Sequence, residues 1–170
     1  MREIARACGF EPPNIYNYFH SKEQLLYEVL KDTHIRAVSS VKHLEDDNVT
    51  SPVEQLRSLV KSEFDVVVSI TKTARMTLDS ELRNLSDAHR RRIMELRSEY
   101  DRILRKIIRR GIDNGDFADI DEKLVGFFIA SIIIRSVVWF SPNGRLPANE
   151  ITDTIFKFVL HGLKGAGSKV

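Results

Sequence analysis

Apolar residues recur at three- and four-residue spacing along nearly the whole chain, in blocks separated by short polar or glycine-bearing breaks. Met1, Ile4, Ala5 and Cys8 fall on one helical face, and Gly9 stands where a left-handed residue ends a helix. Pro12 and Pro13 suit the first turn of a second short helix, because their missing N–H groups cost nothing there. Ile15 and Phe19 are expected to face inward, with Phe10 plugging the underside of the turn. Ser21 and Gln24 form a capping box, and Leu25, Leu26, Val29 and Leu30 carry the next helix toward Leu44. Residues 45 to 50 are polar and without period, so they are read as a loop. Ser51 to Glu54 opens a helix with a broad apolar stripe of Leu56, Leu59, Val60, Phe64, Val67 and Val68.

Ser86 is placed as the cap of a long helix to Arg110, with Ile93, Leu96, Tyr100, Ile103, Leu104 and Ile107 on its inner side. Its glycine-bearing end, residues 111 to 117, is read as a break, after which Asp119 and Glu122 are expected to cap the next helix. From Leu124 to Phe140 that helix is apolar on nearly every side. Residues 141 to 144 are a turn by composition. A last helix puts Ile151, Ile155, Phe158, Val159 and Gly162 in register, with Phe156, Leu160 and Leu163 widening the stripe. The fold class is therefore all-α. The last two helices carry more apolar surface than one layer of neighbours covers, so a homodimer through about 120–140 and 148–163 is expected.

Asn14, Tyr16, Asn17 and Tyr18 are left pointing partly outward from the second helix, and amide and phenol groups hydrogen-bond base edges and phosphate oxygens. A small helical hairpin with surface tyrosines is the plainer alternative. The run Arg2 to Phe10 followed by Ile15 to Leu26 resembles the DNA-binding signature of the TetR family of transcriptional repressors. That resemblance implies a helix-turn-helix DNA-binding domain over residues 1–31 and a helical ligand-binding and dimerisation domain over 32–170. It also implies that Pro13, Asn14 and Asn17 lie at base edges of double-stranded operator DNA, while Tyr16, Tyr18 and Lys22 hold phosphates. Glu11 and the Pro12–Pro13 pair depart from the family pattern, which bears on the operator sequence. Such a helix pair buries its apolar faces on a further helix upstream, so a first helix missing from the sequence is expected.

The body is expected to bind a small hydrophobic effector. Residues 69 to 77 alternate threonines with Ile70 and Met76, which suits either a bend or a cavity wall. The candidate lining is Phe64, Val68, Thr71, Met76, Tyr100, Leu104 and Trp139. The run Trp139 to Pro147 resembles a TetR subgroup associated with fatty-acid and steroid catabolism, which implies a CoA thioester as one candidate effector. Bases outnumber acids along 87–110, as either a solvated face or an anion site at Arg90 to Arg92.

Net charge is only +2, from 26 basic and 24 acidic residues, so affinity for nucleic acid has to be local. A single cysteine excludes an internal disulfide. The histidines, His20, His34, His43, His89 and His161, are scattered without metal-ligand spacing, and no glycine-rich phosphate loop is present. No enzyme, metal or cofactor is expected. Arg135, Ser131 and Ser136 interrupt the longest apolar run, so no membrane partner is expected and the location read is cytoplasmic. A ligand-responsive repressor is the leading reading. The alternative is a dimeric helical interaction protein that has lost DNA binding.

Overall fold

The computed structural model describes residues 1–69 and 81–165, and among these residues it is helical with no strand. The helices are α1 (Arg2–Ala7), α2 (Pro12–Tyr16), α3 (Lys22–Val41), α4 (Pro52–Ser69), α5 (Asp87–Asp113), α6 (Glu122–Trp139) and α7 (Ala148–Lys164). Short 3-10 turns at Lys42–Leu44 and Leu82–Asn84 extend α3 and lead into α5.

Local chemistry sets most of the ends. Gly9, after α1, has φ 70, which a residue with a Cβ adopts only at a cost. Pro12 and Pro13 occupy the first turn of α2. Ser21 Oγ accepts the Gln24 N–H at 3.0 Å, and Gln24 Oε1 accepts the His20 N–H at 2.8 Å, one residue earlier than the usual reciprocal bond. Ser51 and Ser86 accept the N–H groups of Glu54 and His89 at 3.3 Å each. The cap of α6 is Asp121 rather than Asp119 or Glu122. Its carboxylate accepts from both Lys123 and Leu124 N–H at 2.9 Å. Gly111 does not end α5, which continues to Asp113.

The core forms around α4, which packs against α3, α5, α6 and α7. Leu56, Leu59, Val60, Phe64 and Val67 are buried there, facing the α5 stripe of Leu96, Tyr100, Ile103, Leu104 and Ile107. A smaller cluster of Leu30, Leu85 and Ile93, with Leu26, Tyr27 and Leu82 around it, closes the space between α3 and the start of α5. On α7 the inward residues are Ile151, Ile155, Phe156, Val159 and Leu163. Phe158 and Gly162, expected in that register, turn outward instead. Many bases on α5 reach across to other elements: Lys106 to Asp46 at 3.5 Å, Arg102 to Glu45, and Arg109 to Glu122.

The loop between α3 and α4 is tied down by its acids. Asp47 Oδ1 accepts from Val49 and Thr50 N–H at 2.9 and 3.0 Å, and hydrogen bonds from Thr50 and then Val49 hold its carboxyl at about 2. Lys42, then Arg102, hold Glu45 at about 2 as well. Unfolded carboxylates titrate near ~4. Folded values below unfolded ones mean stability that is full above about pH 4 and lost as pH falls toward about 2. Asp47→Asn keeps an acceptor for both N–H groups but cannot be protonated in this window. The expected result is a shallower fall of the urea midpoint between those pH values than the natural chain shows.

Candidate functional site

Two regions carry chemistry, and α3 joins them. The first is the unit formed by α1, α2 and the start of α3. Ala5 and Ile15 are buried between α1 and α2, and the Phe10 N–H bonds Ala5 O at 2.9 Å to set the turn. Phe19 is half-buried. Phe10 does not plug the turn as expected; its ring is 56% exposed. Cys8 is also exposed, at the C-cap of α1. Pro13, Asn14, Tyr16, Asn17, Tyr18 and Lys22 are all exposed within one ten-residue stretch, Tyr18 to 76%.

Charge near this stretch is less balanced than the sequence suggests. Glu23, next to Lys22, turns into the body, where its carboxylate accepts the Ser86 N–H at 2.9 Å and meets His89 Nδ1 at 2.7 Å. The Ser86 N–H, followed by His89, holds the Glu23 carboxyl below its usual value. Its negative charge is thereby directed away from the surface that presents Lys22.

The second region is a cavity of about 170 Å³ between α3, α4, α5 and α6. α3 supplies Thr33, His34 and Ala37; α4 supplies Glu63; α5 supplies Leu96, Arg97, Tyr100 and Asp101; α6 supplies Ala130 and Ile134. The Tyr100 hydroxyl donates to the buried Glu63 carboxylate. Burial, then the Glu63 charge, pushes the Tyr100 phenol well above its usual range, so it remains a donor. Burial raises the Asp101 carboxyl against the opposing pull of Arg105 and Arg97.

Of the expected lining residues, Tyr100 lies in this wall. Phe64 is fully buried in the adjoining core, edge-on to Phe140 with centroids 5.4 Å apart, and Leu104 is buried beside a smaller groove next to Phe127. Val68 is half-buried, and Trp139 is 55% exposed on the outer side. Thr71 and Met76 lie outside the described residues. Periodicity does not find Glu63, Arg97, His34 or Asp101. The available signal is Glu63 on the buried side of α4, a charge between the core residues Val60 and Phe64. Arg90 and Arg92 bond Asp87 and Glu95 at 3.2 and 2.9 Å, which suits a solvated face.

A third feature is apolar. α6 and α7 pack on α4 more than on each other, and their outer sides expose Leu124, Phe127, Phe128, Trp139 and Phe158. Among the described residues no cluster of His, Cys, Asp and Glu is arranged to hold a metal, and no helix is long and apolar enough to cross a membrane.

Residues 1–29 match the tetR family of bacterial regulatory proteins, and residues 49–163 match the tetracyclin repressor-like C-terminal domain. Over 166 residues the chain is 30% identical to the HTH-type transcriptional repressor KstR2 of Mycolicibacterium smegmatis, covering 96% of this chain and 80% of that protein. The TetR family regulator PfmR from Thermus thermophilus superposes with a TM-score of 0.84 at 26% identity, covering 98% of this chain and 88% of its own. The ketosteroid transcriptional regulator KstR2 of Mycobacterium tuberculosis gives 0.83 at 25% identity, covering 96% and 84%.

Proposed function

From the premise that this chain belongs to the TetR family of bacterial regulatory proteins, we propose that its homodimer represses transcription by binding a near-palindromic operator and leaves it when a small hydrophobic effector enters the cavity. The observation that carries this reading is the continuity of α3. Lys22 stands at its first turn beside the exposed residues of α2, and Thr33, His34 and Ala37 on the same helix line the cavity. Eleven residues separate Lys22 from Thr33, about 17 Å along a helix axis. A change at the cavity wall therefore reaches the reader through one rigid element. Two readers must stay roughly 34–36 Å apart, or a multiple of it, to meet successive major grooves, so a small rotation of α3 is enough to cost affinity.

Within the reader, Pro13, Asn14 and Asn17 are assigned to base edges, and Tyr16, Tyr18 and Lys22 to phosphates. The dimer forms through α6 and α7, whose exposed aromatics would pack as a four-helix bundle across a twofold axis. The relative named for ketosteroid regulation supports a lipophilic effector. At about 170 Å³ the cavity is smaller than the roughly 300–1,000 Å³ of sites for drug-sized ligands, so a CoA thioester would insert its acyl end and leave the nucleotide outside.

Fluorescence anisotropy against DNA upstream of the native gene tests the reading. Lys22→Ala is expected to weaken every sequence alike and lower the salt slope by about 1, whereas Asn17→Ala changes the ranking of operator variants. Uniform loss in both variants would refute the division into base and phosphate contacts. Absence of salt-dependent, competitor-resistant binding by the natural chain would favour instead a dimeric interaction protein that has lost DNA binding.

A further inference from the structure

The cavity between α3, α4, α5 and α6 is walled over a single helical turn. α3 contributes Thr33 and Ala37, α5 contributes Leu96 with Tyr100 and Arg97 with Asp101, and α6 contributes Ala130 and Ile134. The members of each pair are four residues apart, about 6 Å along a helix axis. Volume agrees with that height. At about 170 Å³ the cavity is close to the roughly 150 Å³ of an apolar protein cavity that takes one benzene molecule, a guest of about six non-hydrogen atoms.

The polar groups of the wall are engaged with one another or with backbone. Arg97 Nε donates to His34 Nε2 at 3.0 Å, the Tyr100 hydroxyl donates to Glu63, and the Thr33 hydroxyl donates to Val29 O at 3.0 Å. Asp101 lies under the pull of Arg105 and Arg97. A guest therefore meets polar groups that already have partners, and one guest differs from the next in how much apolar chain fits against Ala37, Leu96, Ala130 and Ile134. Leu96 is buried in the core, whereas Ala130 and Ile134 are half-buried on α6, one turn apart. Ala130 is the smaller of that pair, so carbon added there takes space from the guest.

We infer that the cavity limits the effector to a short acyl group of about six to eight non-hydrogen atoms, counted to the carbonyl oxygen, and that Ala130 and Ile134 set this limit. This deepens, and rests on, the reading of the chain as a ligand-responsive regulator. The acyl group can arrive as a free acid or as a thioester, and both present the same chain to the walls. Within the limit each buried methylene strengthens binding about fourfold. Beyond it, further methylenes pass the one-turn wall and add little. A sterol skeleton is too bulky to enter.

The test uses the full chain and no DNA, so its outcome is separate from any failure of operator binding. Butanoyl-, hexanoyl-, decanoyl- and cholyl-CoA, the corresponding free acids, and CoA alone are titrated calorimetrically. Hexanoyl should bind about tenfold tighter than butanoyl in the form the protein takes, acid or thioester, which distinguishes the two sources. Decanoyl should bind no tighter than hexanoyl, and cholyl-CoA no tighter than CoA alone. Ala130→Leu adds three carbons to the wall and should abolish the advantage of hexanoyl over butanoyl. Ile134→Ala removes three and should make decanoyl about tenfold tighter than hexanoyl. Each variant is read as a ratio of two chain lengths, so a general loss of stability cancels, and Ala130→Val replaces Ala130→Leu if the latter does not fold. No binding of any acid, or of any thioester beyond that of CoA alone, would overturn the proposal. So would affinity that climbs steadily through decanoyl in the natural chain, cholyl binding as tight as hexanoyl, or an unchanged length ratio in either α6 variant.

Discussion

Phe128→Glu is expected to leave the chain folded, convert it from dimer to monomer, and reduce operator affinity by about 100-fold or more. In a single chain the ring is 56% exposed on α6, so a carboxylate there meets water and costs little. In a twofold dimer through α6 and α7 the same position would occur twice in the interface; Leu124 on the same helix and Phe158 on α7 are 49% and 70% exposed in the chain alone. Two charges would then be buried without partners, and that penalty exceeds what an interface of this kind returns. A monomer presents one reader, so it forfeits the roughly 10²–10⁴ gain that comes from tethering a second. Light scattering coupled to gel filtration reads the mass, and anisotropy reads the affinity. A Phe128→Glu protein that stays dimeric at micromolar concentration would exclude this face as the interface.

Gly111→Ala is expected to be the most damaging single-methyl change on α5, lowering unfolding stability by about 2–3 kcal/mol. A Cβ built on Gly111 would lie 2.1 and 2.2 Å from Cδ2 and Cε2 of the Phe117 ring. The ring cannot swing clear, because Phe117 is buried and its N–H is tied to Gly111 O at 3.0 Å. Phe117→Leu should destabilise on its own. Combined with Gly111→Ala it should cost less than the sum of the two, because the smaller side chain makes room for the methyl group. Urea unfolding of the two single variants and the double closes the cycle. Strict additivity would mean that the close approach does not govern Gly111.

Gly111 also illustrates where reading from sequence stops. A glycine near a charged helix end reads as a terminator, yet α5 runs on to Asp113 and the left-handed residue is Gly115, at φ 79. The reason for Gly111 is a ring six positions later, brought back by the turn. Spacing favours Asp119 and Glu122 over Asp121 on equally local grounds, since three acids within four positions are equivalent until the backbone decides which one faces the free N–H groups. On α7 the apolar residues cover two faces. Periodicity groups Phe158 with Ile155 and Val159, but the helix buries Phe156 and Leu163 and turns Phe158 to the surface.

What the amino-acid sequence determined by itself is the helical order of the described chain, its serine caps, the Gly9 turn, the buried stripe of α5 and the signature that places the chain in its family. Each of these depends on chemistry acting over about four residues, the reach of a cap or of one helical turn. Only the tertiary structure decided that His34, Glu63, Arg97 and Asp101 share one cavity, that Glu23 faces α5 rather than the reader surface, and which apolar faces of α6 and α7 remain uncovered. Those residues come from separate helices, and the crossing of the helices around α4 brings them together. That crossing follows from how whole apolar faces interlock, so no local spacing encodes the meeting of Arg97 with His34.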